Sequence, residues 1–143
     1  MNANSKILIV DDEPNVRLVF RTTLKAEGYE TASADCGSSA LDILRADTFD
    51  LILLDLQMPG EGGNTILQRL REAGNDTPVV IITAYATVPD AVQAMKLGAI
   101  DFIAKPLSPT ILRQVVAEVI HRNSPTLDAS EKSQTLEHVT ASS

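Results

Sequence analysis

Five short runs of branched apolar residues recur along this chain, and the segments between them carry apolar residues at helical spacing. That alternation is the strongest constraint on the fold. Lys6-Ile7-Leu8-Ile9-Val10 has an unbroken apolar stretch, the pattern of a strand covered on both faces, and it stops at Asp11. From Pro14 to Glu27 the residues Val16, Val19, Phe20 and Leu24 predict a helix, with Pro14 in its first turn and Gly28 as the stop. Glu30 to Ala34 reads as a weaker, more polar strand, and Ala40, Ile43 and Leu44 mark a short second helix. Phe49 to Leu54 is the third strand and ends at Asp55. Met58-Pro59-Gly60 and Gly62-Gly63 form a loop, after which Ile66, Leu67 and Leu70 predict a third helix closed near Gly74.

The same unit then repeats twice. Pro78 to Thr83 is the fourth strand, and Val88, Ala91, Val92 and Met95 outline a helix stopped at Gly98. Ile100 to Ala104 is the fifth strand, and Pro106 and Pro109 frame the entry to a last helix with Leu112, Val115, Val116 and Val119 on one face. Ile111, Val115 and Ile120 widen that face, through either extra core contact or a docking surface. Strands alternating with helices imply an α/β fold, a doubly wound five-stranded parallel sheet with helices on both faces, because right-handed crossovers put them there. The flavodoxin-like three-layer sandwich with strand order 2-1-3-4-5 is the matching arrangement.

The chain of 143 residues has the length of one domain, and 44% apolar residues suffice for a core. From Asn123 onward, Ser, Thr, Glu and Asp dominate, so residues 1–122 read as the domain and 123–143 as a mobile polar tail or linker. Twelve Lys plus Arg against nineteen Asp plus Glu give a net charge of −7, which argues against direct contact with nucleic acid, since phosphate neutralisation needs clustered cations. With two Tyr, three Phe and no Trp, stacking platforms for single strands are also lacking. The single Cys36 fits a reducing compartment, and no apolar stretch approaches the roughly 20 residues that span a bilayer. A cytoplasmic location without membrane contact is expected.

Where the acids sit is the informative question. In an open doubly wound sheet the ligand site lies beyond the carboxyl ends of the strands at the switch point, here between strands one and three. Asp11 and Asp12 follow strand one and Asp55 ends strand three, so three carboxylates should crowd one crevice. At an effective dielectric near 20, each pair at about 4 Å would repel by about 4 kcal/mol. A cation is required, and oxygen donors without Cys or His suit a hard divalent ion such as Mg²⁺. The backbone carbonyl of Gln57 could supply a further oxygen. On the same edge Thr83 ends strand four with a hydroxyl and Lys105 follows strand five with an ammonium on a stem long enough to reach strand three. A metal cage, a nucleophilic carboxylate, a hydroxyl and a cation suit phosphoryl transfer. Singly, each has a plainer reading: Asp12 as a helix cap, Thr83 bonded within its loop, Lys105 as a solvated charge.

Val10-Asp11-Asp12-Glu13-Pro14, Leu54-Asp55-Leu56-Gln57-Met58-Pro59-Gly60, Ile82-Thr83-Ala84 and Ala104-Lys105-Pro106 together resemble the receiver domain of two-component response regulators, over residues 5 to 122. The stretch from Thr83 through Thr87 to Phe102 looks most like receivers of nitrogen-regulation-type transcriptional activators. The resemblance implies that Asp55 accepts phosphate from a sensor histidine kinase and that Asp11, Asp12, Asp55 and the Gln57 carbonyl bind Mg²⁺. It implies that Lys105 and Thr83 meet the phosphoryl oxygens and that Phe102 is the switch aromatic that moves inward with Thr83. It implies a cis bond between Lys105 and Pro106, and a lifetime of the phosphoryl group set at Gln57 and Tyr85. The surface of helix four, strand five and helix five would then change partners, as a homodimer or against a downstream output domain or protein, to control transcription.

Two other functions compete with this signalling, non-enzymatic reading. A Mg²⁺-dependent aspartate-nucleophile phosphohydrolase of the haloacid dehalogenase type needs a second acid two residues after the nucleophile, where this chain has Gln57. An inert receiver-like binding module would need none of the site residues, yet all are present.

Overall fold

The computed structural model describes residues 5–58, 60, 62–84 and 87–122. The tail expected from Asn123 and the position of Tyr85 lie outside them. Five strands and five helices alternate in chain order: β1 (Lys6–Val10), α1 (Pro14–Ala26), β2 (Glu30–Ala34), α2 (Gly37–Ala46), β3 (Leu51–Leu54), α3 (Gly63–Glu72), β4 (Val79–Thr83), α4 (Val88–Lys96), β5 (Asp101–Ala104) and α5 (Pro109–Arg122). The strands form one parallel sheet in the order β2-β1-β3-β4-β5, as the alternation predicts. β3 starts at Leu51 rather than Phe49, because the Asp50 carboxylate and amide are both drawn to the backbone of Lys6, at 2.8 Å each. Phe49 stays buried in the core beside that bend.

Alternate side chains of each strand feed opposite layers. Leu8, Val10, Ile52, Leu54, Val79 and Ile81 face one side and pack with Leu44 of α2, Leu67 and Leu70 of α3 and Ala94 of α4. Ile7, Ile9, Leu51, Leu53, Val80 and Ile82 face the other, against Phe20 and Leu24 of α1 and Leu112, Val116 and Val119 of α5. β1, β3 and β4 are therefore covered on both faces, which accounts for their unbroken apolar sequences. Val115 and Ile120 join the second layer, so their widening of the α5 face is core contact, whereas Ile111 stays 43% exposed.

Four apolar residues that mark helices in the sequence lie outside the core. Val19 on α1 is 45% exposed, and the α1 core contacts are Val16, Phe20 and Leu24. On α4 the larger apolar residues face solvent: Val88 is 76%, Val92 48% and Met95 47% exposed. Among the described residues α4 packs mainly on α3 and the edge strand β5, with Ala94 buried and the C-cap Leu97 half-buried against the core. Small residues let that helix approach, and the larger ones are left outside.

The C-terminal end of α4 is held by one side chain that periodicity cannot reveal. Arg71 of α3 donates from Nε to Leu97 O (3.0 Å) and from Nη2 to Gly98 O (3.2 Å), while Nη1 reaches Asn75 O (2.9 Å) and Thr77 O (3.0 Å). Carbonyls left over at helix ends need donors, and a planar fork with five N–H groups can serve several at once. Gly98 turns with φ 92°, and a side chain there would press on Arg71 Nε at 3.1 Å. Arg71→Ala should cost about 2 to 3 kcal/mol in urea unfolding and speed amide exchange at residues 97–100, with Arg71→Lys recovering only part. A loss below about 0.5 kcal/mol would show that water replaces the guanidinium at no cost.

Candidate functional site

The ladder bonds run one residue past three strand ends and fix the backbone of the polar residues there. Asp11 N donates to Ala34 O (3.1 Å), Asp55 N to Val10 O (3.0 Å) and Lys105 N to Thr83 O (2.9 Å). Each side chain is thereby aimed from an immobile peptide, and β1 and β3 are direct neighbours. Asp11 and Asp55 are buried at 2% and 5% exposure, and Thr83 is fully buried at the end of β4. Asp12 is half-buried, and α1 is capped at Glu13 without a side-chain bond, so Asp12 is not the cap of that helix.

Lys105 crosses from the far edge to the two buried acids. Its Nζ lies 2.6 Å from Asp11 Oδ2 and 3.0 Å from Asp55 Oδ2, with Glu13 Oε1 at 3.7 Å on the exposed rim. The remaining carboxylate oxygens take backbone donors: Glu13 N to Asp11 Oδ1 and Gln57 N to Asp55 Oδ1, both at 2.9 Å. Arg17 Nη1 donates to Asp11 O at 2.7 Å, a contact across one turn of loop and helix that no motif announces. The Lys105–Pro106 bond is cis.

Burial pushes the Asp11 carboxyl above its usual value, since removal from water outweighs the bonds from Lys105 and the Glu13 amide, and ionised Asp55 adds to the rise. Burial by itself would lower Lys105, but hydrogen bonds and attraction to Asp11 and Asp55 raise it, so the ammonium stays charged. Burial thus sets the direction at Asp11 and the two acids set it at Lys105; one cation between two carboxylates leaves the crevice net negative.

Oxygens of Asp11, Asp12 and Asp55 all lie within 4.8 Å of one another. This all-oxygen, anionic donor set fits a hard divalent cation, which the excess negative charge also favours. Asp12 and Asp55 open onto a cleft of about 530 Å³ lined also by Glu13, Gln57, Met58, Ala84 and Lys105. The expected residues Asp11, Asp12, Asp55 and Lys105 thus converge. Gln57 lines the cleft and its amide orients Asp55. Phe102 sits half-buried on β5, paired with Ile81 and packed on the layer of α2, α3 and α4 rather than in the cleft.

An acidic, cation-ready cleft at the switch point of a doubly wound sheet is placed where such folds bind their ligands, and the family match below makes it the site of a signalling module. Residues 7–117 match the response regulator receiver domain, and the chain belongs to that family. It is 37% identical over 123 residues to the response regulator protein PilR of Pseudomonas aeruginosa, covering 86% of this chain and 28% of PilR. Against the probable transcriptional regulator ycf27 of Porphyridium aerugineum it is 38% identical over 117 residues, 82% of this chain and 48% of that one. The chain therefore spans less than half the length of either relative. Among solved structures, the response regulator TrrA of Thermotoga maritima in complex with Mg²⁺-BeF superposes with a TM-score of 0.72 at 30% identity, over 80% of this chain and 98% of TrrA. No helix among the described residues is long and apolar enough to cross a membrane.

The raised Asp11 value carries a stability consequence with a definite sign. A carboxyl whose folded value exceeds its unfolded one keeps its proton longer in the folded chain, so stability falls as pH rises through the folded value. In chelator-treated protein, Asp11→Asn should raise stability at pH 7 and flatten the decline in stability as pH rises above the ordinary carboxyl range. A lower Tm for the variant at pH 7 would show that Asp11 stabilises the metal-free fold.

Proposed function

We propose that Asp55 is the phosphoacceptor, taking its phosphoryl group from the phosphohistidine of a sensor histidine kinase. The observation that carries this reading is the setting of Asp55: buried at a strand end, one oxygen held by the Gln57 amide and the other 3.0 Å from the Lys105 ammonium, beside two further carboxylates. In the transfer the N–P bond of phosphohistidine breaks as a bond forms from an Asp55 carboxylate oxygen to phosphorus. The imidazole leaves with the bonding electron pair. Charge on the transferred oxygens is the main barrier, and Lys105 is the fixed cation that meets it.

Asp11, Asp12, Asp55 and the Gln57 carbonyl are the residues that would hold Mg²⁺. That ion would neutralise charge on the phosphoryl oxygens and offset the repulsion among the carboxylates. The Mg²⁺-BeF complex of TrrA supports the choice of ion. Once Asp55 is phosphorylated, it no longer carries the free carboxylate that Lys105 held, and the ammonium turns to the phosphoryl oxygens. The Thr83 hydroxyl would donate to the same oxygens, drawing the end of β4 inward, with Phe102 following as the switch aromatic.

The output surface would be α4, β5 and α5. It carries Val88, Val92 and Met95, one stripe of α4 at helical spacing, together with Ile111 of α5, all exposed. The partners would be a second copy of this chain or a downstream output domain or protein, and the purpose control of transcription in the cytoplasm. The receiver unit is taken as residues 1–122, with 123–143 a tail or linker.

Acetyl phosphate with Mg²⁺ should add one phosphoryl mass to the full chain, and Asp55→Asn or a chelator should abolish it. Turnover of many small phosphate esters would instead indicate a phosphohydrolase, and no modification of wild type would indicate an inert module. Phosphorylated wild type should sediment faster than the unmodified chain, an increase that Val92→Glu removes while Asp55 is still modified. Unchanged sedimentation on phosphorylation would rule out the homodimer.

A further inference from the structure

Gly63 opens α3 and is buried, and its backbone lies outside the left-handed region, so no turn geometry demands a glycine there. What demands it is proximity. A β-carbon on Gly63 would lie 2.6 Å from the carbonyl oxygen of Asp55, 2.8 Å from Leu56 Cα and 2.9 Å from Leu56 Cδ2. Two of those atoms are backbone, which cannot swing aside as a side-chain end can. The neighbouring Gly62 meets Leu56 O only at 3.4 Å, an ordinary contact.

The peptides on either side of the one that Gly63 approaches are both held. Asp55 N donates to Val10 O of β1 at 3.0 Å, and Gly63 N donates to Leu56 O at 3.1 Å. The peptide whose carbonyl Gly63 N meets also supplies Gln57 N, which holds Asp55 Oδ1 at 2.9 Å. The direction of the carboxylate therefore depends on a stretch of backbone whose outer wall is Gly63. A side chain there would have to displace that stretch by several tenths of an ångström, away from α3 and into the bonds with β1.

We propose that Gly63 is a positioning residue for phosphoryl transfer: its missing side chain lets α3 close on the Asp55–Leu56 peptide and so aims the Asp55 carboxylate. The inference rests on Asp55 being the phosphoacceptor. Rates of positioned reactions fall steeply with displacement, and a shift of about 1 Å can cost on the order of a hundred-fold.

The test compares full-length wild type with Gly63→Ala, Gly62→Ala and Val116→Ala. The last opens a cavity in the α1–α5 layer, far from Asp55 in sequence and on the opposite face of the sheet from α3, and serves as a stability-matched control. With acetyl phosphate at saturating Mg²⁺, Gly63→Ala should be phosphorylated at least about ten-fold more slowly, while Gly62→Ala and Val116→Ala stay within about two-fold of wild type. Without Mg²⁺, the Gln57 amide resonance should move in Gly63→Ala and not in Val116→Ala. A Gly63→Ala rate equal to that of Val116→Ala, or an unmoved Gln57 amide, overturns the proposal.

Should Gly63→Ala fail to fold, wild type alone decides. Loading with Mg²⁺ and beryllofluoride should shift the Gly63 amide resonance, through its bond to Leu56 O, and leave the Gly74 amide in place; an unmoved Gly63 amide removes the coupling. If wild type itself takes neither phosphate nor beryllofluoride, it is the phosphoacceptor reading that fails.

Discussion

One ammonium shared between two buried carboxylates holds this site together. Lys105 arrives from the edge strand, Asp11 from β1 and Asp55 from β3, and the cation lies within 3.0 Å of both acids. Each carboxylate alone would be costly at this depth, and the pair would repel. The ammonium makes the cluster tolerable without making it neutral. The residual negative charge suits the cleft to a divalent cation. The same contact makes Lys105 responsive to any change on Asp55, because modifying that carboxylate removes one of its two anionic partners.

The sheet supplies the rigidity that such a cluster needs. Asp11, Asp55 and Lys105 stand one residue beyond their strands, yet each keeps a ladder-type bond to the neighbouring backbone. The polar side chains thus emerge from peptides that the apolar layers hold in place, with Ile9, Val10, Leu53 and Leu54 buried immediately behind them. On the outer side the start of α3 closes the arrangement at Gly63. Position and charge are set by different parts of the fold: backbone pairing fixes where the carboxylates are, and Lys105 sets how much charge they carry together.

α4 shows where periodicity misleads. Val88, Val92 and Met95 fall on one stripe and mark the helix, but it packs at the sheet edge through Ala94 and presents that stripe to solvent. Hydrophobic spacing reports that a helix has an apolar face; it does not report which neighbour, if any, covers it. On α1, Val19 misleads for the same reason. Arg71 was illegible for a different one: its partners are carbonyl oxygens of Asn75, Thr77, Leu97 and Gly98, and backbone acceptors leave no mark in a side-chain pattern.

The sequence by itself determined the alternation of strands and helices, the parallel sheet and the acids at the strand ends, because these follow from local spacing and from the handedness of crossovers. It placed Asp11, Asp12, Asp55 and Lys105 on one edge, since a residue following a strand must lie at that edge. Only the tertiary structure decided that Lys105 divides itself between Asp11 and Asp55, that Gln57 serves Asp55 through its amide, and that Gly63 leaves room for α3 against the Asp55 peptide. These are contacts between segments up to 94 residues apart, and distances of a few tenths of an ångström are set by packing, which no local pattern encodes.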